Sequence, residues 1–175
     1  LASWRTAGLT VCALNTASEA DELRRQYDVE VVVVEPVAKF PQPYVSLNRV
    51  IDEVVKIGEP TLLINADFEL ALTPDQLARF ADASADGLAY FLQINRNPDG
   101  SEPVIEWYGL SAFILHPRHA SWFSPSWMCL GKCWWDFWMP WLAVEHGEPL
   151  YTPDPPRGYH QRHGAIWNEQ EWYIC

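Results

Sequence analysis

Two oxygen-bearing side chains one residue apart, Asn65 and Asp67, close the apolar run Thr61-Leu62-Leu63-Ile64. A carboxylate beside a carboxamide suits a hard divalent cation, Mg2+ or Mn2+, which takes oxygen ligands and readily shares a diphosphate. In extended backbone, residues 65 and 67 of Asn65-Ala66-Asp67 project to the same face, so both oxygens can approach one ion. The competing reading is a turn, where Asn and Asp bond their own backbone. Two other strand ends are polar, Asn15-Thr16 and Glu35-Pro36. Amides at the start of a helix after Thr16 can face a phosphate. Glu35 can bond a ribose or base edge, or stand as a solvated strand end. Parallel strands would open all three ends on one edge of the sheet, where ligands gather in α/β proteins.

A second constellation lies at Trp134-Trp135-Asp136-Phe137-Trp138. One acid among aromatics has surroundings that raise its pKa toward that of a usable general base. Alternatively this is a core segment with Asp136 capping a helix. The chain has 10 Trp residues, crowded into its second half. Indole rings, apolar on the face and polar at the edge, also serve as sugar-stacking platforms. The third constellation, Tyr159-His160-Gln161-Arg162-His163, offers two imidazoles for a metal or, with Arg157 and Arg162, a phosphate clamp. There is no Walker or Rossmann glycine loop and no G-x-S-x-G, which disfavours an NTPase, a dinucleotide oxidoreductase and a serine hydrolase.

These side chains need elements to hold them. Leu9 to Leu14 reads as a strand, followed by a T-A-S-E capping box at Thr16 and Glu19 and a helix. Val29 to Val34 is β-branched almost throughout and reads as a strand buried on both faces. A helix from about Tyr44 to Ile57 carries Leu47, Val50, Ile51, Val54 and Val55 on one face and stops at Gly58. After the 61–64 strand, Thr73-Pro74-Asp75-Gln76 starts a third helix, and Leu88 to Ile94 is another apolar strand. The alternation over the first 95 residues predicts a parallel sheet. Further on, Asn97-Pro98-Asp99-Gly100 signals a turn between antiparallel segments. Val104 to Tyr108 and Ala112 to Leu115 read as two strands with Gly109 between them. Trp134 to His146 looks helical, with Pro140 expected to kink or break it.

With 175 residues the chain is expected to form one domain over 1–175, a nucleotide-binding half at about 9–95 and a catalytic half at about 96–175. The net charge of −11 argues against nucleic acid or an anionic membrane as a partner. No apolar run reaches the ~18 residues of a transmembrane helix. Leu1-Ala2-Ser3-Trp4 lacks a signal-peptide start, and the expected location is cytoplasmic or left open. The 4 cysteines show no zinc spacing and are read as thiols.

In order, these features resemble a GT-A-fold glycosyltransferase of the family-2-like kind, over roughly residues 9 to 165. The carriers are a D-x-D-like Asn65-Ala66-Asp67 and a G-x-D-x-F-like Gly109-Leu110-Ser111-Ala112-Phe113. An acid follows in Trp134-Trp135-Asp136, and then a late His, 160 or 163. The resemblance implies a single-domain three-layer α/β/α sandwich with a mostly parallel central sheet and an antiparallel segment in the second half. It also implies a UDP- or GDP-linked sugar donor, a divalent cation (Mn2+ or Mg2+) and a carbohydrate or other hydroxyl acceptor. Asp67, with Asn65 and His163 or His160, would hold the metal, and Asp136 would be the acceptor base. Trp107, Trp134 and Trp135 would shape the sugar pocket. Asn65 and Ser111 depart from the family pattern, each replacing a carboxylate with a neutral group. The alternatives are a non-catalytic carbohydrate- or nucleotide-sugar-binding relative, or a metal-dependent nucleotidyltransferase at the same strand ends.

Overall fold

A computed structural model describes residues 1–40, 42–97, 99, 101–126, 128–132 and 134–161, the side chains at 106–108 and 161 excepted. The chain opens with a short helix α1 (Ala2–Thr6), strand β1 (Cys12–Asn15), helix α2 (Ala17–Gln26) and strand β2 (Glu30–Val33). Next come α3 (Leu47–Ile57), β3 (Thr61–Ile64), β4 (Phe68–Leu70), α4 (Pro74–Ala83) and the hairpin of β5 (Leu88–Arg96) with β6 (Val104–Leu115). A 3-10 helix (Pro117–Trp122), α5 (Trp135–Glu145), β7 (Leu150–Tyr151) and β8 (Gly158–Gln161) complete the described part.

Several local signals act as their chemistry dictates. Ser46 caps α3 through the Asn48 amide, and Gly58 ends it in the left-handed conformation. Thr73 and Gln76 form the reciprocal capping box of α4, with Pro74 in the first turn. The box expected at Thr16 and Glu19 is absent: Thr16 makes no cap bond, and its hydroxyl pairs with that of Ser18 at 2.9 Å instead. Helix α5 continues through Pro140. Proline cannot donate to the Asp136 carbonyl, a loss of roughly 3 kcal/mol with its ring clash. Burial of Trp135, Met139, Leu142 and Ala143 on the core offsets that cost.

The expected mostly parallel sheet is corrected. The main sheet has the order β3-β6-β5-β8-β4, with β7 also on β5. Three of its pairings, β3–β6, β5–β6 and β4–β8, are antiparallel. Strand β8 and β7 run parallel to β5. Strands β1 and β2 pair in parallel but form a separate two-stranded sheet. Burial on both faces misled the sequence reading. Leu88 and Leu92 face one core with α3 and α5, whereas Ala89 and Phe91 face another with α1 and α4. Helices thus cover both sides of an antiparallel sheet, which then reads like a parallel one. The hairpin after Asn97 drives β6 between β3 and β5, where a parallel neighbour would have been needed. Strand β2 is not buried on both faces either: on one face Glu30 is exposed and Val32 only partly buried, and on the other Val33 is exposed beyond the buried Val31.

The sheet is also strongly curled. Strands β3 and β4 lie at opposite ends of its order, yet only Asn65-Ala66-Asp67 separates them. Five flat strands spaced at about 4.8 Å would place the outer two ~19 Å apart. The four steps from Ile64 to Phe68 span at most ~14 Å. The two edges must therefore bend toward each other, and residues 65–67 bridge the gap.

Candidate functional site

Asn65-Ala66-Asp67 is a turn, closed by the Phe68 amide donating to the Asn65 carbonyl at 3.1 Å. The extended geometry that would place residues 65 and 67 on one face is absent. Asn65 prolongs the β3–β6 ladder, its amide donating to the Ser111 carbonyl at 2.9 Å. Ala66 is exposed, and the Asp67 side chain is 43% exposed.

Asp67 meets His160 from a strand 93 residues later: Oδ2 lies 3.0 Å from Nε2. Strand β8 runs between β4 and β5, pairing His160 with Phe68 on one side and Asn95 on the other. The other ring nitrogen, Nδ1, contacts Asn95 Oδ1 at 2.9 Å. Gln93 Nε2 donates to the same oxygen at 3.2 Å, and Ser111 Oγ donates to Gln93 Oε1 at 2.5 Å. A continuous row of polar side chains thus crosses β6, β5 and β8 to the turn. Two glycines make room here, one for Gln93 of the row and one for the Phe68 ring beside it. A Cβ on Gly109 would sit 2.3 Å from Gln93 Cδ, and one on Gly158 would sit 1.7 Å from Phe68 Cζ. Gly109 lies where the β5–β6 register jumps from Leu92↔Leu110 to Gln93↔Glu106.

The other expected site residues are elsewhere. Asn15 ends β1 of the separate sheet and Thr16 follows it at the start of α2, where Asn15 Oδ1 accepts from the Thr16 amide at 2.7 Å. Glu35 is exposed beyond the end of β2. The three strand ends therefore belong to two sheets. Ser111 is 2% exposed and bonded within the row, so it does not face a ligand directly. Trp135 is buried, its ring edge-on to Phe113 at 5.7 Å, and lines the core rather than a sugar pocket. The Trp107 side chain and His163 lie outside the described residues.

Asp136 lies in the first turn of α5, which follows Trp134, a residue whose φ of +73° is left-handed. A bulky residue there costs about 1–2 kcal/mol. Burial pushes the Asp136 carboxyl above its ordinary range, opposed by the amides of Asp136 and Phe137. Trp134 and Phe137, both exposed, hold their rings 5.8 Å apart on either side of it in sequence.

Gln93 and Asn95 were missed by the sequence reading. Their signal was two carboxamides one residue apart at the end of an apolar strand, the same pattern that drew attention to Asn65 and Asp67. Concavities of about 390 Å³ beside Arg49 and Phe123 and about 240 Å³ beside Pro60 and Leu77 share no residue with the row. Among the described residues no helix is long and apolar enough to cross a membrane, and no three His, Cys, Asp or Glu cluster as a metal site. No protein-family model matches the chain, and comparison with curated proteins found no match.

Proposed function

We propose that the chain is a metal-assisted glycosyltransferase that moves a sugar from a UDP- or GDP-linked donor to an acceptor hydroxyl. The meeting of Asp67 with His160 carries this reading. Octahedral ligands about 2.1 Å from a small divalent ion lie ~3 Å from one another. The 3.0 Å between Asp67 Oδ2 and His160 Nε2 therefore fits two adjacent ligand positions. One carboxylate and one imidazole are a sparse set, which suits Mg2+ or Mn2+ with water and diphosphate oxygens completing the shell. Asn65 and His163 are further candidate ligands. Bound there, the cation would neutralise the leaving diphosphate.

The protein's own groups supply the rest. Asp136, with its raised pKa, takes the proton of the acceptor hydroxyl as that oxygen attacks the anomeric carbon. The bond to the diphosphate breaks, and its electron pair leaves with the nucleotide. Trp134 and Phe137 offer apolar ring faces for a pyranose. Calorimetry with UDP- and GDP-sugars should show Mn2+-dependent binding that Asp67→Ala weakens by roughly tenfold or more. Equal binding by both proteins, or none with Mn2+, overturns the cation site.

One observation favours a second reading, a non-catalytic sugar-nucleotide binder. Ser111 stands where the family pattern has an acid and is consumed internally. Donor binding without release of nucleoside diphosphate across a panel of acceptors would establish it. Release of pyrophosphate from an NTP would instead identify a nucleotidyltransferase.

A further inference from the structure

Helix α5 is apolar on two faces. Trp135, Met139, Leu142 and Ala143 turn into the core. Trp134, Phe137, Trp141 and Val144 stand outside, 42%, 38%, 53% and 61% exposed. At ~3.6 residues per turn the four form one stripe, and the ring centroids of Trp134 and Phe137 lie 5.8 Å apart. A surface helix ordinarily carries polar groups on that side. With about 150–250 Å² in a large aromatic side chain, the stripe leaves roughly 400 Å² of apolar surface in water, the size that marks a contact.

The spacing selects the occupant. The four residues lie 3, 4 and 3 apart, the same from either end. A second α5, antiparallel and turned about a two-fold axis at Met139, meets the stripe residue for residue. Phe137 lies against Trp141 of the second copy and Trp134 against its Val144, each contact made twice. A two-fold interface requires that reciprocity, and alternating 3 and 4 is the seam along which helices pair. Glu145, on the rim, comes beside the N-terminus of the other helix, where unpaired amides favour a carboxylate. Two copies cover roughly 800 Å² of stripe, and Pro140 and Glu145 on the rim bring the contact to the ~1,000 Å² of a specific interface. A lipid surface fits less well. Helix α5 carries no Lys or Arg, the cations by which interfacial helices hold headgroups.

We propose that the outer face of α5 is a homodimer interface, two copies pairing antiparallel through Trp134, Phe137, Trp141 and Val144. The pair is weak, because each copy carries a net charge of −11 and like charges repel. It closes the ring faces offered to a pyranose, so the monomer is the form open to an acceptor. That consequence alone rests on the transferase reading.

Sedimentation equilibrium of the full chain from about 1 μM to about 1 mM should show monomer and dimer in exchange. Added salt should tighten the pair by screening the repulsion. Trp141→Glu and Phe137→Lys should each raise the dissociation constant roughly thirtyfold or more. Mixed in equal amounts, the two variants should pair again. The new ammonium then meets the new carboxylate, while the native Trp and Phe keep the other contact. If either variant does not fold, Val144→Lys, at the most exposed position, should weaken the pair in its place. A chain that is monomeric throughout overturns the proposal, and flotation of that monomer with phosphatidylcholine vesicles would assign the face to lipid. A dimer that these substitutions leave intact uses another face, and folded variants that fail to pair when mixed exclude the antiparallel register. Either result overturns it as well. Loss of sugar-nucleotide binding with the dimer intact overturns only the transferase reading.

Discussion

Asp136 shows how a single residue can set stability against chemistry. Burial raises its pKa in the folded chain, more than the neighbouring amides lower it. The unfolded chain has the lower pKa, so folding carries a penalty at every pH above the folded value. The penalty fades as pH falls and protons bind the folded state first. Asp136→Asn is therefore expected to leave the chain as stable or more stable at neutral pH, with the gain vanishing at low pH. Transfer should fall by roughly 10²–10⁴-fold. Urea unfolding at several pH values, beside product release with an identified acceptor, measures both effects. Full turnover in this variant means another group is the base. Asp67, His160 and Asp136 were each legible in the sequence as chemistry-bearing side chains. The pairing of Asp67 with His160 was not, because contact across 93 residues is made by strand order.

At the scale of elements, glycine sets how closely strands approach the site. Gly158 begins β8 opposite Leu70, and the Phe68 ring lies over it. The Phe68 carbonyl in turn accepts from the buried Trp4 indole at 2.7 Å. Gly158→Ala would drive its methyl group into a ring that is only 1% exposed. Overpacking of this kind costs about 1–3 kcal/mol, and it should also shift His160, two residues on. Thermal unfolding should show a lower midpoint, and Mn2+ titration a weaker site, although neither Asp67 nor His160 has changed. The stop at Gly58 and the start at Thr73 were read well from sequence, because caps are local chemistry, whereas α3 starts at Leu47 under a Ser46 cap rather than at about Tyr44. Pro140 shows the opposite. Its cost is local, but packing over the whole of α5 decides that the helix continues.

Over the whole molecule, a buried imidazole ties distant segments together. His119 is fully buried and stacks on Trp122 at 4.1 Å, and the His146 ring stacks on the same indole at 5.6 Å. Its Nε2 meets the Ser84 carbonyl at 3.0 Å, while Nδ1 accepts from the His116 amide. Neighbouring Arg118 pairs with Glu148 through both carboxylate oxygens, at 2.9 and 3.0 Å. Burial first, and then Arg118, lower the His119 pKa from 6.5 to about 4. Below the unfolded value only the unfolded chain binds the proton, so stability falls as pH drops through this window. The loss levels off once the folded ring titrates. It should reach on the order of 3 kcal/mol. Chemical denaturation from pH 7 to pH 4, compared with His119→Gln, isolates it: the variant should lack this part of the acid slope.

By itself, the sequence determined the local elements and the stock of reactive groups. Amphipathic spacing, caps and apolar runs depend on neighbours within a few residues, and the types of Asp67, Asp136 and His160 state their chemistry directly. Only the tertiary structure decided strand direction and which of those groups meet. An apolar strand buried on both faces looks the same whether its neighbours run parallel or antiparallel. The polar row exists because the sheet curls until three residues can join its two edges, bringing Asp67 to His160 and placing Asn95, Gln93 and Ser111 behind them.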